Sequence, residues 1–138
     1  MKNIEPNGFV SIELVILVII LAVGFLTFSQ ALVSAYGEAR DQERFTDVVQ
    51  MQKALQVFYK ENGYYPESTS GEVPNGISNY LDRWPVAPKA DGNCTRAQNQ
   101  YIYSQISSGT DFSLTFCLGT SSNSLVAGTH ILTSKGIQ

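Results

Sequence analysis

The sequence has no proline between Pro6 and Pro66, only two cysteines, and a single histidine. Each scarcity excludes something. Without proline, a long stretch keeps every backbone N–H and can remain helical. One histidine (His130) with Cys94 and Cys117 is too small a set for a zinc site. Nor do these three make a nucleophile and base, because no third, orienting group stands out. No phosphate-binding glycine loop, calcium loop or other metal motif occurs. The expectation is a protein that is not an enzyme and that takes no cofactor and no metal. Charge is sparse as well, at 15% of residues with a net charge of -3. Beyond Pro88 the cations are Lys89, Arg96 and Lys135 alone, so the basic stripe of a nucleic-acid binder is missing and no nucleic acid is expected as a partner. Asp82, Asp91 and Asp111 are scattered, and read as solvated loop residues.

What is abundant is apolar sequence near the start. Four regions follow one another. Residues 1–8, "MKNIEPNG", are polar and end in glycine. Residues 9–28 are greasy, broken early by one acid, Glu13. Residues 29–62 carry polar and charged residues at helical spacing. Residues 63–138 are rich in glycine, proline, serine, threonine, asparagine and aromatics, the composition of turns and strands.

About twenty apolar residues at helical rise cover the hydrocarbon thickness of a bilayer. The β-branched residues Val15, Ile16, Val18, Ile19, Ile20 and Val23 would suit a strand in water. In lipid, however, a single segment must satisfy its backbone internally and is therefore helical. Past it, Phe45, Val48, Met51, Leu55 and Phe58 step by three or four and share one helix face. Arg40, Asp41, Glu43, Arg44, Gln50 and Lys53 fall mostly elsewhere. Lys60, Gly63 and Pro66 are a helix stop: a cation in the last turn, a left-handed cap, then a residue that cannot continue. Gly24 and Gly37 are the weak points at which the helix could bend or unwind.

The remainder reads as antiparallel strands. Residues 101–106 form one candidate and "SSGTD" a turn. Phe112, Leu114, Phe116 and Leu118 then alternate with Ser113, Thr115 and Cys117 at a period of two. Residues 120–124 make a second turn and 125–132 a third strand, with a free tail expected after it. The fold class is thus α+β: a long N-terminal helix, half membrane-like and half amphipathic, packed on a small antiparallel sheet. Trp84 and the pair Tyr64–Tyr65 read as packing residues. If the apolar run carries the chain out of the cytoplasm, Cys94 and Cys117 face an oxidising compartment and are expected to pair. Their bridge would close a loop of about 23 residues, worth roughly 3 kcal/mol. Two free thiols are the alternative.

Gly8 followed by Phe9, Glu13 at the fifth position from Phe9, and an unbroken apolar helix resemble the N-terminus of type IV pilins and type II secretion pseudopilins. "MQKALQVFYKENGYYP" (51–66) is similar to the end of the long helix in the major pseudopilin. "YLDRWPVAP" (80–88) followed by a Tyr-x-Tyr strand is a looser match. The resemblance implies a pilin-like fold and cleavage between Gly8 and Phe9 by the prepilin peptidase. It further implies N-methylation at Phe9, and an assembly role for Glu13. The implied partners are further copies of the chain in a homo-oligomeric helical filament, a pilus or secretion assembly machinery, and the cytoplasmic membrane before assembly. The final location would be an extracellular or periplasmic filament. Val10 and Ser11 depart from the common Thr and Leu. No proline stands about twenty residues into the mature helix, so the kink of many pilins should be absent.

Glu13 then has a physical reason to exist. An ionisable group in a membrane helix usually has a partner. Cleavage before Phe9 would free an amine one turn away, and the staggered neighbour's carboxylate could meet it. A rival expectation is an ordinary signal peptide. Val33 and Ala35 form a small-x-small pattern before Tyr36, and a cut there would release a soluble secreted binding domain.

Overall fold

The computed structural model describes residues 11–69, 71–122 and 124–138. The leader, the Gly8–Phe9 bond and the methylation site at Phe9 lie outside the described residues. The chain divides into two units, residues 1–35 and Tyr36–Gln138. One helix, α1 (Ile12–Asn62), contributes to both.

In the first unit, residues 12–35 are helical throughout. Gly24 lies within unbroken helix, as does Gly37 in the second unit, so neither is a point of unwinding. A lone glycine costs about 1 kcal/mol against alanine, too little to break a helix with no proline in it. Polar side chains here bond back to their own helix: Thr27 Oγ1 donates to Gly24 O at 3.0 Å and Ser29 Oγ to Leu26 O at 2.9 Å. Bonding back to the helix satisfies hydroxyls on an apolar rod.

In the second unit, the helix from Tyr36 onward lays Val48, Met51, Ala54, Leu55 and Phe58 into the core, with Phe45 half-buried. It stops where the turn chemistry requires. Gly63 adopts φ 79°, the left-handed region that glycine enters without a Cβ penalty. Its N–H donates to Tyr59 O at 2.8 Å, and Asn62 Nδ2 donates to Phe58 O at 2.8 Å. Terminal carbonyls are thereby satisfied.

Four strands, β1 (Ile102–Ile106), β2 (Asp111–Leu118), β3 (Gly128–Thr133) and β4 (Gly136–Ile137), form an antiparallel sheet in the order β1-β2-β3-β4. In the β2 register, Leu114 lies between Tyr103 on β1 and Leu132 on β3. These residues, with Phe112, Phe116 and Leu118, make the buried face that meets the helix. Each such side chain contributes about 1.5–3 kcal/mol on leaving water. Trp84 covers the edge of this core, its ring edge-on to Tyr103 at 6.1 Å. Tyr65 is buried against Phe112 while Tyr64 stays exposed, so only one of the two tyrosines is core.

Three expectations need correction. The third strand begins at Gly128, not at Leu125, because the backbone of Leu125 is engaged with that of Ser122 through reciprocal bonds of 3.0 and 2.9 Å. The end of the chain is not a free tail: Gly136 and Ile137 fold back as β4, opposite Thr133 and Leu132. The turn is fixed from outside by Asp111, whose Oδ1 accepts from the N–H of Ser134 at 3.0 Å and from that of Phe112 at 2.8 Å. Those bonds hold the Asp111 carboxyl below its ordinary range. The third correction concerns Asp41, Arg44 and Asp91, described next.

Candidate functional site

Two places in the chain concentrate chemistry, one in each unit. In the first, Glu13 stands in the first turn of α1, where the N–H groups of Leu14 and Val15 reach back to Ser11 O at 2.9 and 3.3 Å. A carboxylate here favours the positive end of the helix dipole. Between Glu13 and Glu38 no charged residue occurs. The large apolar side chains of this stretch are exposed, Phe25 and Val33 each at 73%. The helix is long and apolar enough to cross a membrane, with a mean hydropathy of 2.7 in its best window and none of that window buried. Leaving that surface in water would cost on the order of 20 kcal/mol. The segment is a candidate membrane anchor with one carboxylate near its start.

The second place was not foreseen. Asp41 and Arg44 lie on the buried face of α1, and both are inaccessible to solvent. Arg44 bridges two acids: Nη1 sits 2.6 Å from Asp41 Oδ1 and Nη2 sits 2.7 Å from Asp91 Oδ1. Nη2 also donates to Lys89 O at 2.9 Å. Arg40 Nη1 takes the other oxygen of Asp91 at 2.9 Å. Asp41 in turn accepts from the N–H of Gly119 at 2.8 Å, and from the N–H and hydroxyl of Thr120 at 2.7 and 2.6 Å. The helix is therefore clasped to two loops, residues 89–91 and 119–120.

Burial works against ionising Asp41, but the Thr120 hydroxyl, the two backbone N–H groups and Arg44 outweigh it and hold the carboxyl below its ordinary range. Burial likewise opposes the Arg44 charge, and its bonds to Asp91 and Asp41 reverse that, raising its affinity for the proton. Two acids and two bases cancel, which is what makes charge tolerable at such a depth. A carboxylate of a different kind stands further along the helix. Asp47 accepts from Tyr101 Oη at 2.9 Å, and burial raises its pKa.

Cys94 and Cys117 form a disulfide, their Cα atoms 5.8 Å apart. Cys117 points away from the core face of β2, as its odd position in the alternation requires. Both thiols are consumed, so neither is available to His130 as a nucleophile. His130 stacks near Phe116 at 5.5 Å and its Nε2 lies 2.8 Å from Val126 O. Among the described residues no cluster of His, Cys, Asp and Glu is arranged to hold a metal ion. Thus the structure brings together the two expected cysteines, and places Glu13 on exposed helix. It also adds the Asp41–Arg44–Asp91–Arg40 clasp, whose signal in the sequence was position: 41 and 44 continue the stripe that runs through 48, 51, 55 and 58. The fold and its sites define an α+β head on a long helix with a candidate membrane anchor. No family model, no curated protein and no solved structure matches the chain.

Proposed function

We propose that this chain is a pilin or pseudopilin, the structural subunit of a type IV pilus-like filament. It is cut after Gly8, methylated at Phe9 and polymerised through its N-terminal helix. The observation that carries the reading is the pairing of Glu13 with an exposed apolar helix otherwise free of charge up to Glu38. An ordinary anchor gains only a modest helix-dipole interaction from an acid in that place, whereas a subunit that must find register in a bundle of identical helices gains a specific contact. In lipid the apolar helix is already solvated, so moving it into a bundle yields little hydrophobic gain. Register must come from a polar contact, and the carboxylate of Glu13 with the Phe9 amine of a neighbour provides one in low dielectric. The prepilin peptidase and an assembly machinery are the implied partners, and the cytoplasmic membrane holds the monomer beforehand.

The test is Glu13→Ala in cells that assemble the filament. Cleavage at Gly8–Phe9 should persist, because the bond lies upstream, while incorporation into sheared filaments should fall to background. Wild-type incorporation of the variant would end the reading. A second reading has one observation in its favour: the compact second unit begins at Tyr36, where signal peptidase would cut after Ala35. That reading gives a secreted binding domain. Intact mass of the natural product separates the two, with a start at methylated Phe9 in one case and at Tyr36 in the other.

A further inference from the structure

The loop that carries Cys94 reads Asp91-Gly92-Asn93-Cys94-Thr95. Asn93 is the one asparagine in the sequence followed two places on by serine or threonine with no proline between. That spacing is the acceptor pattern for sugar transfer to an asparagine amide. Asp91, two places before it, adds the acidic residue that the bacterial form of the acceptor carries. The folded head has room for a sugar at this place. Asn93 and Thr95 are both exposed. The turn is closed by the N–H of Cys94 donating to Asp91 O at 2.9 Å, with Gly92 at φ 51°, which leaves Asn93 at the tip. Its backbone N–H donates to Gly119 O at 2.9 Å, so the main chain is fixed while the residue stays open to solvent. The Cys94–Cys117 pairing suits an oxidising compartment outside the cytoplasm, where such transfer occurs.

We propose that Asn93 is a site of N-linked glycosylation, taking an oligosaccharide from a polyprenyl-diphosphate carrier. The Asn93 Nδ2 attacks the anomeric carbon of the first sugar, forming a C–N bond. The anomeric C–O bond breaks, the polyprenyl diphosphate leaves with the electron pair, and one amide proton passes to a base of the transferase. No oxidant or reductant is needed. The transferase must grip Asn93 and Thr95 together on an extended chain, whereas in the folded head Asp91 is held by Arg40 and Arg44 and Cys94 is bonded to Cys117. Transfer therefore precedes closure of the disulfide and the clasp, and the two events compete for the same loop. The inference needs the head to be exported but does not need a filament.

The test expresses the full chain in bacteria that carry an oligosaccharyltransferase of the acidic-acceptor type and its lipid-linked oligosaccharide. Tandem mass spectrometry then reads the Asn93 peptide, and the Cys94–Cys117 linkage reports export. The expected result is the oligosaccharide mass on Asn93, lost in Asn93→Gln and in Thr95→Ala and kept in Thr95→Ser. Cys117→Ser, which opens the loop, should raise the modified fraction. An exported, disulfide-linked chain with bare Asn93, together with a bare Asn93 in Cys117→Ser, overturns this proposal alone. Sugar found only on serine or threonine overturns it too. An unlinked chain with bare Asn93 counts against both the proposal and the export of the head.

Discussion

Replacing Arg44 by methionine separates a buried ion cluster from decorative surface pairing. Methionine roughly keeps the length of the stem and removes the guanidinium, so packing changes little while Asp41 and Asp91 each lose a cation. Exposed ion pairs are worth about 0–1 kcal/mol. Arg44 is not exposed: its side chain and that of Asp41 are at 0% accessibility, and Asp91 is at 15%. Removing one partner of such a cluster typically costs about 3–5 kcal/mol, because the remaining charge is stranded. Here Asp41 keeps three donors from Gly119 and Thr120, and Asp91 keeps Arg40, so the lower end of that range applies. For a head of this size, about 3 kcal/mol corresponds to a fall in Tm of roughly 12–24 °C. The assay is thermal and urea unfolding of the full chain in detergent micelles, followed by the fluorescence of Trp84, the one tryptophan, which stacks edge-on to Tyr103. A change below about 1 kcal/mol, the range of exposed ion pairs, would refute the clasp as a stabilising element.

Acid should loosen the same cluster. The Asp41 carboxyl is held below its unperturbed value of 3.8, so its contribution is complete above that pH and is lost as pH falls through the folded-state value; unfolding followed from pH 7 to 2 should show Asp41→Asn losing this acid dependence. Replacing both cysteines by alanine opens the 23-residue loop and should lower stability by about 3 kcal/mol, measured by urea unfolding against the oxidised parent. Gly92→Ala should destabilise by about 2 kcal/mol or more, because φ is 51° and an added Cβ would run into the Gly119 carbonyl; an unchanged Tm would contradict that geometry.

What the sequence revealed was governed by local rules. The helix end at Asn62 was legible because Lys60, Gly63 and Pro66 act within one turn of it. β2 was legible because Phe112, Leu114, Phe116 and Leu118 alternate cleanly, and the disulfide because there were only two cysteines to pair. The clasp was hidden by a rule that usually works, that charge on an amphipathic helix faces water. Asp41 and Arg44 obey the spacing of the apolar stripe but not its chemistry. Their burial depends on Asp91 and Thr120, 50 and 79 positions away from Asp41, which no window along the helix contains. β4 was hidden for a similar reason: two residues give no periodicity, and what folds them back is Asp111 capping Ser134 from another strand.

The disulfide and the clasp act on neighbouring residues of the same two segments, the loop around Asp91 and the end of β2 with the turn after it. Cys94 lies three residues past Asp91, and Cys117 two residues before Gly119. The covalent tie fixes the distance between the loops, and the ionic tie fixes both of them to the helix. Neither could substitute for the other. A disulfide alone would tie the loop at Cys94 to the end of β2 without fixing residues 89–91 to α1. Arg44 alone would have to order two long loops against their full chain entropy. With the bridge in place the loops arrive already joined, so the ion cluster pays only for the last alignment and its geometry can be tight. That dependence also explains the chemistry at position 119: a glycine lets its N–H approach the Asp41 carboxylate, and an added Cβ there would sit 2.7 Å from Asp91 Oδ1. The end of the sheet beside Gly119 is thus anchored by polar contacts where the apolar stripe of the helix runs out.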